Sequence, residues 1–531
     1  MRFAASLLVA AMLTAACTTT VDTSPPPTTV GNDSSPSTQP DTISGATISL
    51  AMLEPEALSA HQVISAHAVE LAQLIHTGLT RRGPDGQAIP GLAESWSSDN
   101  AITWTFNLKA GLVFSDGTPI TAETFAVSWQ RLAEQDTRAR AAYLGVEAGI
   151  SNWEEAVAGV EGAIIGIQIL DELSFQVQLD RSFPWLPELV AHPAFAPVSP
   201  AELASPTSTG PIGAGDFRIE GTYEPGVGVT LVRTNPTGEA GEIGRFEVLF
   251  VADEAALVSA VESGTADVAV VGDAVVPAAV SGAVVASNEV LYLGFPTSRG
   301  PLSEPEPRRQ MSLTIDRDAI AATLDDRQTP SVQFAPSHSV NGLAVRCQWC
   351  RFDPEEASAY AEANELEPPE DPISLHIVGG SLAEPWAQRI AADWQTQTGW
   401  TVNIVRHDNL QRLVGFLQSG VPDGPFILPW TGDHPGAEAW IEPLFDRAGA
   451  DDFIRYGNDT LIEHFRIISS TRAGGSSRVQ AMNDLGTTLN GALAFLPLSV
   501  LNRTVVESGN VIVGVEGGVT RVDLTNLTAA P

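Results

Sequence analysis

Lysine is almost missing from this chain of 531 residues. Lys109 stands alone, so arginine carries nearly all of the 28 positive charges, against 64 acidic residues and a formal net charge of −36. We read the missing lysine as genome composition rather than mechanism. A surface this acidic repels phosphate backbones, so nucleic acid is not an expected partner, and solubility in salty surroundings is the plainest meaning of the charge. The nine histidines are scattered and include no His-Glu-x-x-His string. Gly-x-Ser-x-Gly and Ser-x-x-Lys are absent as well, which removes the usual nucleophile signatures of hydrolases. The glycine-rich string Gly210-Pro211-Ile212-Gly213-Ala214-Gly215 lacks the Lys-Ser/Thr that a phosphate loop needs, so we expect a crossing loop there. No catalytic residue, metal or cofactor is expected.

Long apolar runs are also missing after the first residues. Arg2 precedes the apolar stretch from Phe3 to Leu13, which is too short to span a bilayer and reads as an export signal. Leu13-Thr14-Ala15-Ala16 then leads to Cys17, in the manner of a lipoprotein processing site. Cys17 would become the lipidated N-terminus; an ordinary cleaved signal beside an incidental cysteine is the alternative. No twin arginine is present, which favours Sec export. Residues 18–45 are mostly Thr, Ser, Pro and Asp, a composition that cannot offset its ordering entropy, and we expect a disordered tether.

Only three cysteines occur. With Cys17 assigned to lipid, Cys347 and Cys350 remain as a Cys-Gln-Trp-Cys pair. In an exported protein this spacing invites a disulfide. A redox-active pair would need a helix N-terminus to lower a thiol pKa. Pro336, Gly342 and Pro354 suggest a loop instead, which favours a structural staple, and too few Cys or His lie near for zinc.

What is present is ample apolar sequence, 44% of the chain, enough for two or three domains. Ala46 to Glu54 reads as a strand, and Val63 to Leu79, with Leu71, Leu74, Ile75 and Leu79 near helical spacing, as a helix. Thr103 to Leu108 alternates as a strand, and Asp116-Gly117 makes a turn before a helix opening at Thr121. Ile164 to Leu179 reads as a hairpin about Asp171-Glu172, followed by a Phe183-Pro184 turn. Further on come a strand from Phe246 to Val251, a helix from Ala255 to Val261 and a strand from Leu291 to Phe295. Arg308 to Ile320 reads as an amphipathic helix stopped and restarted at Asp316, with Arg308 and Arg317 as surface or capping partners. A helix starts at Asp353-Pro354. Strands from Ile373 to Val378 and Thr401 to Val405 flank a helix from Trp386 to Thr398.

Four of these blocks, in this order, carry a resemblance: Pro90 to Phe125, Gly264-Thr265-Ala266-Asp267-Val268-Ala269, Arg308 to Ile320, and Asp353-Pro354-Glu355-Glu356-Ala357. The string resembles solute-binding family 5, the peptide-binding lipoproteins that feed ABC importers, over roughly Ala46 to Asn502. The resemblance implies an α/β fold of the periplasmic-binding-protein type II-like kind, with two lobes joined by hinges and an extra inserted domain. On this reading residues 1–17 are signal and lipobox, and 18–45 the tether. The first lobe takes 46–83, 209–295 and 493–531, the extra domain 84–208, and the second lobe 296–492, with hinges near Leu293 and Leu496. It further implies a binding protein and not an enzyme. The partners implied are a small solute and ABC permease subunits, and the chain would be a monomer at the outer face of the cell membrane or in the periplasm. A lipoprotein of the same fold that presents its ligand state to a membrane sensor is the alternative.

The candidate site is Phe426-Ile427-Leu428-Pro429-Trp430-Thr431-Gly432-Asp433-His434-Pro435, a strand followed by a turn. Asp433 could simply cap that turn or the helix containing Ala437 to Trp440. In family members that bind peptides a Trp-x-x-Asp string here holds the ligand, and Trp-Thr-Gly-Asp resembles the dipeptide-binding branch. The resemblance makes Asp433 the acceptor of the ligand's α-amino group. The backbone from Pro429 to Gly432, including Thr431, becomes a partner for its main chain, and Trp430 a wall. That branch also has an arginine for the ligand carboxylate, but Val378 to Ala387 contains none and Arg389 sits inside the following helix. Short peptides, longer peptides and other amine-bearing solutes all remain open. His434 reads as a turn residue.

Overall fold

A pair of 13-residue strands, Gly282–Gly294 and Phe495–Glu507, organises the molecule. The computed structural model describes residues 45–530 except 64, 84–85, 135–139, 161, 206–209, 240, 273–275, 278, 325–326, 338, 341–344, 420–421, 423, 433, 446–453, 455, 457–458, 472–474, 514–521 and 523. The signal segment, Cys17 and the tether up to residue 44 therefore lie outside the described residues, as does Asp433.

The two long strands sit at the centre of an eleven-stranded mixed sheet. Its path runs Val402–His407, Ile373–Val378, Phe426–Thr431, Gly282–Gly294, Phe495–Glu507, Val268–Val271, Ala46–Leu53, Ile243–Val251, Gly228–Arg233, Phe217–Glu224; Gln328–Pro330 adds to Phe495–Glu507 off this path. The central pair is antiparallel in two stretches. Gly282 to Ala286 pairs with Val506 to Asn502, and Val290 to Gly294 with Val500 to Phe495, with the register breaking between Ala286 and Val290 and shifting again between Leu291 and Tyr292. Within the break the Ser287 hydroxyl donates to the Leu501 carbonyl at 2.8 Å and accepts from the Glu289 N–H at 3.1 Å. Leu293 and Leu496 lie directly opposite each other, one pair beyond the second shift, and both are fully buried.

The cores divide along the same line. Ile48, Leu50, Phe246, Val285, Val505 and Leu527 share one buried cluster, so residues near the start and end of the described chain pack together. A second cluster holds Leu293, Trp386, Trp394, Trp440 and Leu496. A third belongs to the stretch between Leu79 and Phe195 and is rich in aromatics. There the four-stranded sheet Ala93–Ser97, Thr103–Leu108, Ser174–Gln178, Ile167–Asp171 stacks Phe106 on Phe175 and presents Phe175 to Phe125 and Trp129 on the helix Ala122–Glu134. The Trp129 indole N–H donates to the Phe195 carbonyl at 2.8 Å, so this polar edge is satisfied within an apolar setting.

Local chemistry accounts for most boundaries. Asp171 closes the hairpin by accepting from the Leu173 N–H at 2.9 Å and the Ser174 hydroxyl at 2.7 Å. Asp316 and Asp353 cap Arg317–Ala321 and Pro354–Ala363, accepting from Ala319 and Glu356. The first helix is shorter than expected, Ala66–Ile75, because Ser65 caps it and the chain turns extended at His76. Gly213 and Gly215 explain the glycine-rich string. The Gly215 N–H donates to the Ile75 carbonyl at 2.7 Å, and a Cβ at either glycine would collide with that carbonyl. The loop is a close crossing over a helix end.

One expectation needs correction in part: of the two roles expected for Arg308 and Arg317, surface or capping, the surface role fails, while Arg308 does bond the last carbonyl of the helix Ser476–Ala492. Arg308 and Arg317 are not surface residues; they are 1% and 4% exposed. Arg308 donates to the carbonyls of Leu302 and Ser303, both at 2.7 Å, and of Ala492 at 2.5 Å. Arg317 donates to Pro497 at 2.9 Å and Cys350 at 3.1 Å. Neither is matched to a carboxylate in these bonds, and burial lowers their pKa values to about 10 and about 9, still leaving both charged. Their forked donors gather helix ends and loops that offer only carbonyls.

Candidate functional site

The strand Phe426–Thr431 emerges gradually from the second core. Phe426, Ile427 and Leu428 are buried, whereas Pro429, Trp430 and Thr431 are partly exposed. On one side it makes six successive pairs, from Gly294↔Phe426 to Glu289↔Thr431. On the other side its ladder with Ile373–Val378 consists of one pair, His376↔Phe426. Past Phe426, strand pairing among the described residues is one-sided. That also explains how Pro429 is tolerated inside a sheet, since a proline without an N–H belongs where a ladder has an edge.

The turn beyond the strand is held by its own tryptophans. The Trp430 indole N–H donates to the Ala439 carbonyl at 3.2 Å. Gly432 rests on Trp440, and a Cβ there would come within 2.7 Å of the indole ring. His434 is 2% exposed, and its Nδ1 accepts from the Gly436 N–H at 3.1 Å. Its ring stacks on Trp185 with centroids 5.7 Å apart and meets Phe183 edge-on at 5.3 Å. His434 Nε2 lies 3.5 Å from Glu147 Oε1. It is therefore a packed turn residue, as its sequence context suggests. Val340 binds the same turn, its N–H donating to the Pro435 carbonyl at 2.8 Å.

Glu438, four residues beyond His434, is 1% exposed. One oxygen accepts from the Trp185 indole at 2.9 Å, and the other pairs with the buried Arg478. Arg478 also donates to the Ile468 carbonyl at 2.7 Å and lies 5.6 Å over the Trp185 ring. Burial alone would push the Glu438 carboxyl up, but Arg478 and His434 bring it below the usual carboxylate range. These three residues escaped sequence reading because 253 positions separate Trp185 from Glu438; the only local signal was the Phe183-Pro184 turn.

The other named residues fall elsewhere. Cys347 and Cys350 are joined by a disulfide, Cα atoms 5.4 Å apart, and are 3% and 2% exposed. Asn490 grips the loop from both sides, its amide donating to the Arg346 carbonyl at 2.8 Å and its oxygen accepting from the Gln348 N–H at 2.6 Å. Arg389 is engaged by Asp393 at 2.8 Å, one turn along its own helix. Among the described residues no group of three or more His, Cys, Asp or Glu is placed to hold a metal ion, and no helix is long and apolar enough to cross a membrane. A groove of about 850 Å³ between Asp459–Ser470 and Ser476–Ala492 shares no lining residue with the strand. It is open, and we place the site at the one-sided ladder instead.

An α/β molecule with a central sheet threaded through two cores, and a third layer inserted near its start, has the type II-like fold of periplasmic binding proteins. More narrowly, the chain belongs to the bacterial extracellular solute-binding proteins, family 5, whose profile matches residues 87–452. Its members bind solutes and are not enzymes. The periplasmic murein peptide-binding protein MppA of Escherichia coli is 24% identical over 405 residues, covering 72% of this chain and 74% of that one. The periplasmic oligopeptide-binding protein OppA of Salmonella typhimurium is 23% identical over 373 residues, covering 66% and 68%. Among solved structures, the Escherichia coli murein tripeptide-binding protein MppA superposes with a TM-score of 0.78 at 20% identity, covering 92% of this chain and 99% of that one. Haemophilus influenzae OppA in complex with the peptide RPPGFSPFR gives 0.77 at 18% identity, covering 91% and 99%.

Proposed function

We propose that this chain is the extracytoplasmic solute receptor of an ABC importer, and that it captures peptides or similar amine-bearing solutes between two lobes. The observation that carries the reading is the strand Phe426–Thr431, paired along its length on one side and only at Phe426 on the other. An extended peptide can add there as a further strand, its main chain pairing with the backbone from Pro429 to Gly432. Trp430 walls the pocket and Asp433 accepts the ligand's ammonium. A charge-assisted hydrogen bond in a closed cleft contributes about 1.5–3 kcal/mol, enough to select a free amine. The names of the relatives, murein peptide- and oligopeptide-binding proteins, agree with a peptide as the solute.

The first lobe comprises 46–83, 209–295 and 493–531, the second 296–492, and the extra domain 84–208. Closure bends the central strands where their register shifts, at Ser287 to Glu289 and beside Leu293 and Leu496. Ligand stabilises the closed form, and a membrane permease receives it. The chain acts as a monomer, with Cys17 lipidated and residues 18–45 as the leash to the outer face of the membrane. Cys347 and Cys350 staple a loop of the second lobe.

Mass spectrometry of solute released from purified protein tests the reading, repeated on Asp433→Ala. Wild type should release an amine-bearing solute, and the variant should bind it about 2–5 kcal/mol more weakly. Equal binding by both would remove Asp433 from the site.

A further inference from the structure

Three side-chain links join the inserted aromatic layer to the segment that follows the site strand. The Trp185 indole donates to Glu438 at 2.9 Å, Glu147 faces His434 at 3.5 Å, and Arg181 faces Glu442 at 3.5 Å. The His434 ring completes the contact by stacking on Trp185 and meeting Phe183. The inserted layer is tied to the first lobe by backbone bonds as well as side chains: Leu92 N–H to the Gly78 carbonyl and Ser115 N–H to the Gly213 carbonyl, both at 2.9 Å, and the Ser59 hydroxyl to Glu202 at 2.6 Å.

We propose that Trp185 and Arg181 on the inserted layer, with His434, Glu438 and Glu442 on the second lobe, form a releasable clasp that sets how far the cleft stands open. This rests on the two-lobed reading above. The distribution of charge suits a contact that must part. The buried carboxylate Glu438 has its counter-charge, Arg478, within its own lobe, so separation leaves no buried charge unpaired. What crosses the gap is a neutral indole N–H, the contacts of the His434 ring with Trp185, Phe183 and Glu147, the Arg478 guanidinium over the Trp185 ring, and the Arg181–Glu442 pair, whose side chains are 35% and 25% exposed. Water can replace each of these. The clasp also holds the site: Trp430 bonds to Ala439, and Gly432 rests on Trp440, in the segment that Trp185 grips. Ligand at the strand end and the clasp at Glu438 therefore favour the same closed arrangement.

The test compares wild type with Trp185→Phe, which keeps the ring and removes the donor, and with Arg181→Gln at the partly exposed edge. Small-angle X-ray scattering on refolded, ligand-free protein reads opening, and calorimetry with trialanine reads affinity. Both variants should show a larger radius of gyration than wild type at an unchanged melting temperature. Trialanine affinity should fall about threefold to tenfold, as the closed population falls. Unchanged scattering in both variants would overturn the clasp. The scattering arm needs no ligand, so failure of wild type to bind trialanine counts against the peptide reading and leaves the clasp to be judged by opening alone.

Discussion

Glu289 stands directly opposite Thr431, at the last pair of the ladder between Gly282–Gly294 and Phe426–Thr431. Cross-strand partners lie about 4.5–5.5 Å apart at Cβ, so a carboxylate borders the strand end at which we propose the ligand's amine binds. Glu289→Gln should weaken binding of a cationic peptide by about 0.5–1 kcal/mol while leaving the fold intact. The loss should shrink as salt rises, because a partly exposed charge is screened. Calorimetry at low and high ionic strength checks this, and a salt-independent loss would count against a charge effect.

Gly432→Ala puts a methyl group against the Trp440 indole, which is fully buried. Overpacking of this kind costs about 1–3 kcal/mol. The turn should shift away from Trp440 and carry the strand end with it. We expect a lower urea midpoint together with reduced ligand affinity. A variant equally stable and equally tight would mean that the turn does not need this close approach.

Stability should fall on mild acidification because of two buried histidines. Burial, helped by His76 and Arg131, lowers the His61 pKa to about 3, and burial lowers that of His76 to about 4. Both are neutral when folded and take up protons near pH 6.5 when unfolded. Their contribution is therefore complete above pH 6.5 and is lost progressively as pH falls below it. The slope is at most about 1.4 kcal/mol per pH unit for each histidine. Urea titrations between pH 6.5 and 5 read this directly, and His61→Gln should flatten the slope.

Arg317→Met should destabilise the protein by roughly 3 kcal/mol or more, since the carbonyls of Pro497 and Cys350 lose a buried donor. Arg317→Lys should recover only part of this, because one ammonium cannot reproduce the forked geometry. Chemical denaturation checks both. A neutral Arg317→Met would show that water satisfies those carbonyls instead.

The fold was legible wherever chemistry is local. Thr103–Leu108 and Ile373–Val378 match their expected bounds residue for residue, and Asp171, Asp316 and Asp353 act on N–H groups two or three positions away. What stayed hidden depends on distance in sequence. Nothing near Arg317 announces that Pro497 lies over it, and a charge pattern suggesting a helix surface was overruled by tertiary packing. The register break at Ser287 to Glu289 was not legible either, since the strand reads only from Leu291 and the apolar Ala283 to Ala286 is not joined to it across Ser287-Asn288-Glu289. The site strand itself was readable, but its one-sided pairing was not, because that follows from where Ile373–Val378 ends. Trp185, Glu438 and Arg478 come from three separate stretches and meet only in the folded chain.

The two long strands mean that one hydrogen-bonded ribbon serves both halves of the molecule. On the closure proposed above, no ladder need be unzipped on either side; the bend falls where the two strands already shift register. Motion of this sort is inexpensive in enthalpy and confined in space. It should appear as fast amide exchange at residues 287 and 288, flanked by slower-exchanging amides of the ladder on either side.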